Sequence, residues 1–468
     1  MEVNSVKSAP SKARGSIMLK LIVTVMLALF LMIPSTMIMY VVQERQDSRI
    51  QAEAEIGQKL GQAQTITGPI ISINDSAVNS FTHFLPSKLE IKSEIEPEIR
   101  YRGLFKIAVY KTKINLKGSF DKLDLKQVDN IQDKISFDKS YLQIGISDMR
   151  GIKNALSINL NGKSYPLKPS LKANNVFSSY YNSDPKYDSN PSMSNNDNGV
   201  HIQLSDLKLV KNDSTSTYNF DVNLELSGSK ELKFVPIGKT TTVEMSSKWG
   251  NPSFIGDYLP IEKNVTDNNF TAKWNVLEFN RSFPQIVRNN NHNIMAKSFG
   301  VSLLIPIDGY AQTNRAIKYS YLFVGLTFIA FFLIEVVNRL RLHPIQYLLV
   351  GFALSLFYLM LLSISEYLSF GMAYLSAFIA IVGLITFYTS YAFKNKKISL
   401  LLFSLLTLQF GYLYVLLSLE DYSLLLGSFG LFVIIATVML VTRKLDWYSL
   451  GNSSLTDAEI QNSTDKSQ

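Results

Sequence analysis

The chain contains no cysteine. Disulfides, thiolate zinc sites and cysteine nucleophiles are thereby excluded, although the compartment is left open. Histidine is scarce as well. The four present, His83, His201, His292 and His343, lie far apart and share no ligand spacing. There is no HExxH, no GxSxG, no P-loop and no dinucleotide fingerprint. Charged residues make up 18%, against about 25% in an ordinary soluble domain. The net charge of +8 comes from a lysine-rich composition and from cations beside apolar runs. No focused basic patch or nucleic-acid motif accompanies it, so nucleic acid is not an expected partner. The residues single out no catalytic, cofactor-binding or metal site, and the expectation is a non-enzyme without a cofactor.

What is present is sharply segregated. Residues 319–442 are almost entirely apolar or small, whereas residues 43–318 are rich in Lys, Asn, Ser and Asp. The run 319–337 carries one charge, Glu335, and as a helix is about 28 Å long, close to the ~30 Å hydrocarbon core of a bilayer. Further apolar runs at 345–363, 368–393, 398–418 and 424–441 complete a five-helix bundle over 319–442. An earlier run, 21–42, follows a basic tail with Lys7, Lys12, Arg14 and Lys20. It is too long for a cleaved signal and reads as a signal-anchor helix, kinked at Pro34. Six spans result. Arg339 and Arg341, then Lys394, Lys396 and Lys397, then Arg443 and Lys444 fall on the side of the N-terminal tail, while Glu366, Glu420 and Asp421 fall on the other. The positive-inside rule therefore predicts both termini on the cytoplasmic side, residues 1–20 and 443–468 forming the tails.

Residues 43–318 are predicted to be periplasmic. They open with a polar helix, 43–64, whose narrow stripe of Ile56 and Leu60 fits packing against the following domain better than a dimer seam. Thr67-Gly68-Pro69 reads as a turn. The period then changes to two. Over 218–227, Tyr218, Phe220, Val222, Leu224 and Leu226 alternate with polar residues; shorter alternations occur around Ile107, Ile158 and Ile202. Asn161-Gly162, Gly228-Ser229 and Gly250-Asn251-Pro252 punctuate them as turns. The fold class expected is an α+β membrane protein: six transmembrane helices with a large β-sandwich-like domain of antiparallel sheets inserted between helix 1 and helix 2. Residues 174–199, crowded with Asn, Ser, Asp and Pro, are expected to be a long loop.

The stretch from Phe299 onward has an unusual composition. It contains FGV, Pro306, Asp308, Tyr310, Thr313, Arg315-Ala316 and Lys318-Tyr319, then GLTF, FFL-x-E and LHPIQYLLVG; FYLMLLSISE, LYVLLSLEDYSLLLGS and TRKLDWY follow. These motifs resemble the CreD family of bacterial inner-membrane proteins. Upstream, RYRGLFKIAVY, WGNPSFIGDYLP, Trp274 and RSFPQ resemble family landmarks, so the likeness covers nearly the whole chain. It implies a role in cell-envelope integrity and in the envelope stress response, within a regulon governed by the Cre two-component system and linked to the β-lactam response. It supplies no catalytic residues.

Seven residues stand out. Glu335 is the one acid inside a predicted span and thus a suspect for function; a structural pair with Arg339, four residues on, is the simpler reading. Asp308, Tyr310 and Arg315 lie in the segment that leads into the bundle. Glu420 and Asp421, with Glu366, fit an acidic rim that pairs with Lys318 or Arg315, or plain solvated loop charge. Small residues at Ala373, Ser376, Ala377, Ala380 and Gly383, and at Gly427 and Gly430, suggest close helix packing. His343 beside Pro344 suits a helix cap. The expected partners are the lipid bilayer and periplasmic envelope proteins or peptidoglycan-related partners, with a homo-oligomer left open. The rival function is a transporter or channel for a small envelope component that uses Glu335.

Overall fold

A computed structural model describes residues 17–75, 80–121, 135–173, 177, 198–207, 217–288, 292–305, 309–338, 340, 342–393, 395–419 and 422–443. All but Phe177, Asn198 and Gly199 of the expected loop 174–199 lies outside them. The chain forms two compact units, Ser48–Pro306 on one hand and Met1–Asp47 with Ile307–Gln468 on the other.

The chain starts with α1 (Ile17–Phe30) and α2 (Met32–Leu60). The break at Leu31 is where proline chemistry puts it: the Pro34 ring clashes with the carbonyl four residues back, at Phe30. The second half of α2 belongs to the β unit. There Ala52 is buried with Ile107 and Val109, and Ile56 and Leu60 pack alongside, so the narrow apolar stripe does serve intramolecular packing. Glu55 pairs with Arg102 at 2.8 Å, and Glu53 pairs with Lys230.

The strands that follow are, in chain order, β1 (Gln64–Asp75), β2 (Ser80–Phe84), β3 (Lys88–Arg102), β4 (Phe105–Phe120), β5 (Ile135–Ile146), β6 (Ser157–Leu160), β7 (Lys163–Pro166), β8 (Lys168–Pro169), β9 (Gly199–Gln203), β10 (Tyr218–Ser229), β11 (Glu231–Phe234), β12 (Thr240–Ser247), β13 (Pro252–Gly256), β14 (Glu262–Val265), β15 (Phe270–Leu277), β16 (Ile286–Arg288) and β17 (Phe299–Leu303). An eight-stranded sheet has the order β14-β15-β12-β3-β4-β10-β6-β7. A nine-stranded sheet runs β13-β17-β11-β1-β5-β9-β8, with β2 beside β1 and β16 beside β2. Both contribute to one hydrophobic core containing Ile71, Leu116, Ile144, Val222, Phe234 and Trp274.

Three expectations are corrected. The sheets are mixed rather than antiparallel: β3 pairs with β12, and β1 with β11, in parallel. The long intervening chain supplies the crossover a parallel pair requires. Thr67-Gly68-Pro69 is no turn but lies within β1, where the register against β5 shifts between Thr67 and Ile70. Gly228-Ser229 also stays in strand; the positive φ falls one residue later, at Lys230. Asn161-Gly162 does turn the chain between β6 and β7, both residues at positive φ.

The helical unit adds α3 (Gly309–Val337), α4 (Pro344–Ser365), α5 (Phe370–Phe393), α6 (Lys396–Ser418) and α7 (Ser423–Thr442). With the first helix, 6 among the described residues are long and apolar enough to cross a membrane. His343 caps α4, its Nδ1 accepting from Ile345 N at 3.3 Å, with Pro344 next in line. Ala373 and Ala377 are buried as expected, but Ser376, Ala380 and Gly383 of the same stripe are not. Close approaches occur at Gly351 and, as expected, at Gly430. A Cβ on Gly351 would lie 2.0 Å from Leu31 Cδ1, and one on Gly430 would lie 2.0 Å from the Tyr412 hydroxyl.

Candidate functional site

The helical unit concentrates its charge chemistry at Glu335. This residue sits in the last turn of α3 and is 3% exposed. Its Oε1 accepts from Lys20 Nζ at 2.6 Å and from Leu342 N at 3.2 Å. Its Oε2 accepts from the Tyr347 hydroxyl at 2.7 Å. Three segments thus converge: the start of the first helix, the end of α3 and the first turns of α4. The Tyr347 ring is met edge-on by Phe328, 5.7 Å between centroids, and at a tilt by Phe331 at 6.1 Å. Both carboxylate oxygens are engaged and the charge is matched, so the arrangement behaves as a part-buried ion pair with two further, neutral donors.

A second ion pair lies farther along the same helix. Arg45 Nε is 3.6 Å from Glu366 Oε1 at the end of α4. Lys20 on α1 and Arg45 on α2 are about 37 Å apart along the two successive helices. The first helix is therefore tied to its bundle near both ends.

The sequence candidates fare unequally. Glu335 is at the centre of this cluster. Arg339, Asp308, Glu420 and Asp421 lie outside the described residues. Tyr310 falls in the first turn of α3, and Arg315 is half-buried one turn further on. Glu366 meets Arg45. Lys20 and Tyr347 were missed as partners of Glu335. The clue was available: consecutive spans run antiparallel, so the start of the first span and the end of the second share one end of the bundle. Among the described residues, no group of three His, Cys, Asp or Glu is placed to hold a metal.

The β unit offers a different surface. The outward face of the eight-stranded sheet bears a shallow groove of about 480 Å³ lined by Lys92, Glu94, Lys113, Asn115, Asn223 and Glu244 among others. Its charges alternate across the strands: Glu94 lies opposite Lys113, and Glu90 opposite Lys117. Lys117 reaches Asp221 at 3.3 Å, and Asn115 Nδ2 donates to Asp221 and Asn223, each at 2.7 Å. Opposite charges facing across strands stabilise the sheet and leave the face hydrated.

The comparisons with known proteins fit this architecture. The family model described as "Inner membrane protein CreD" matches residues 16–448. The chain belongs to the CreD family. It is 32% identical over 439 residues to the inner membrane protein CreD of Escherichia coli (strain K12), covering 90% of this chain and 91% of that one. No solved structure matches. As a CreD-family member with 6 candidate spans, the chain is a multi-pass inner-membrane protein. The stretch FFL-x-E carries Glu335, and LHPIQYLLVG carries the cap His343, the Glu335 partner Tyr347 and the close-contact Gly351.

Proposed function

We propose that the chain is a non-enzymatic inner-membrane protein that supports cell-envelope integrity and the response to envelope and β-lactam stress, with its β unit in the periplasm. The observation that carries this reading is the state of Glu335. The acid that a transport mechanism would recruit has both oxygens engaged by Lys20, Leu342 N–H and Tyr347. The helices then serve as an anchor, and the work falls to the β unit, whose polar sheet face suits peptidoglycan-related or protein partners of the envelope. Lys20, Lys396, Lys397 and Arg443 gather at one end of the spans by helix order, which favours that end in the cytoplasm.

A deletion strain complemented by the full chain tests the role. Complementation should restore survival under detergent and β-lactam challenge; an unaltered deletion strain would remove the proposal. Orientation is read separately in the cysteine-free background. Asn264→Cys should react with an impermeant thiol reagent once the outer membrane is opened, and Asn395→Cys should not. A Glu335→Gln protein that is inactive at normal abundance would favour the transporter instead.

A further inference from the structure

The first helix and α3 do not close on each other along their whole length. Leu21, Val25 and Met32 on one side and Gly325, Ile329 and Phe332 on the other line a groove of about 260 Å³. α3 presents a glycine where a side chain would fit: a Cβ on Gly325 would meet nothing within 4 Å. Behind the groove the contact is tight instead. A Cβ on Gly351 of α4 would run into Leu31 and Phe328, both of which also border the groove. The first helix therefore leans on α4 through Leu31 and stands off from α3 at Gly325.

The lining is nearly all hydrocarbon. The threonine and the serine that border it are satisfied on their own helix: Thr24 donates to Lys20 O at 2.8 Å, and Ser35 to Leu31 O at 3.3 Å. Along the stretch from Leu21 to Met32, water lacks the two to four polar partners it needs. An empty gap would forfeit dispersion contact on one side of every lining atom. Within a membrane span, the material at hand to fill it is a lipid acyl chain. The gap is also held open. Lys20 on Glu335 and Arg45 on Glu366 fix the first helix near both ends, so it cannot move over to α3.

The mouth of the groove carries a cation. Lys20 opens the first candidate span, one residue before Leu21 of the lining, and so stands at the level of lipid headgroups. An ammonium has three donors. One goes to Glu335 Oε1 at 2.6 Å, and the side chain is 38% exposed. The part of the first helix that lines the groove, 21–35, is about 21 Å long, against about 15 Å for one leaflet of a ~30 Å hydrocarbon core. A chain hanging from the headgroup level therefore covers most of it. We propose that the groove binds one phospholipid molecule, with an acyl chain between the first helix and α3 and the lipid phosphate on the remaining donors of Lys20.

Native mass spectrometry of the full-length protein, released from mild detergent, provides the first test. The parent should retain one phospholipid per chain. Gly325→Leu, which fills the groove from α3, should lower that occupancy about tenfold without lowering the melting temperature. The second test reads position in membranes and needs no groove variant. A phospholipid with a diazirine on its acyl chain should cross-link to Val25 and Ile329 several-fold more than to Leu408, although Leu408 is the most exposed of the three. The third separates the headgroup from the clamp. Glu335→Gln keeps Lys20 and should keep the lipid, whereas Glu335→Gln joined to Lys20→Met should lose it several-fold. A parent that retains no lipid, or only a chain without phosphate, would overturn the proposal. So would cross-links that simply follow exposure, or parental occupancy in the folded Gly325→Leu protein or in the double variant.

Discussion

The two units bury their chains by different rules. In the β unit, polarity marks the inside from the outside. β15 alternates buried and exposed residues along its whole length, with Phe270, Ala272, Trp274 and Val276 inward. In the helical unit, polarity marks nothing of the kind. Ile379 and Leu408 are 60% and 76% exposed, yet are as apolar as the residues they leave inside, because lipid is their solvent. Apolar side chains gain little by turning inward there. Position is set instead by a few special contacts: the Glu335 cluster, the bare Cα atoms of Gly351 and Gly430, and the Phe357–Phe410 ring pair at 4.7 Å. A polar group is cheap on the sheet face and consequential in the bundle.

That contrast can be tested from its strongest point downward. Val222 is 0% exposed in the β core. Val222→Asp should unfold the β unit, at a cost of roughly several kcal/mol, seen as rapid proteolysis of residues 48–306 while the spans stay protected. Survival of the β unit would mean the strand faces are misassigned. Next is Lys20→Met, which leaves the Glu335 carboxylate buried without its cation. Glu335 is buried but Lys20 is 38% exposed, so the cost is less than the roughly 3–5 kcal/mol of breaking a fully buried pair, and membrane abundance should fall. Glu335→Gln should cost little, and joining it to Lys20→Met should restore abundance. If the double variant stays as low as Lys20→Met, the pair is not what Lys20 supports.

The third test concerns a polar group in the β core that breaks the unit's own rule. His83 is 1% exposed, and Ser72 Oγ is 2.8 Å from its Nδ1. Burial pushes its pKa down to about 4. The unfolded chain, at the ordinary value near 6.5, takes the proton first. Stability is therefore full above about pH 6.5 and falls as the pH drops towards 4, by about 3 kcal/mol at most. His83→Gln should flatten that slope in melts between pH 7 and 4.5; an unchanged slope would assign the acid sensitivity to other groups. Smallest of all is Lys117→Ala on the hydrated sheet face, expected to change stability by no more than about 0.5 kcal/mol. A large loss would mean that the cross-strand ladder is rigid rather than solvated.

The same contrast explains what could be read beforehand. The spans were legible to within a few residues, except at α3, which begins at Gly309 because GYAQTNRAIK continues the helix as a polar first section. The β10 faces were legible because one side is wet. The nine-stranded sheet was harder to read: β17 is buried at all five positions, so it has no alternation to detect. Parallel pairing of β3 with β12 depends on contacts across more than 140 positions and leaves no local mark. At the candidate site, Glu335 announced itself as a lone acid in an apolar run, and His343 as a cap before proline. Its partner Lys20 did not, because a cation before a first span already has a reason to be there.

The two ion pairs on the first helix have one more consequence. Lys20 grips Glu335 near one end and Arg45 grips Glu366 near the other, so the helix cannot slide or tilt apart from the bundle. A free helix meets a thinner bilayer by leaning over alone. Here the leaning must be shared by every span, or one of the clamps must open. A change in membrane thickness is then met by the helices together rather than by the first one alone.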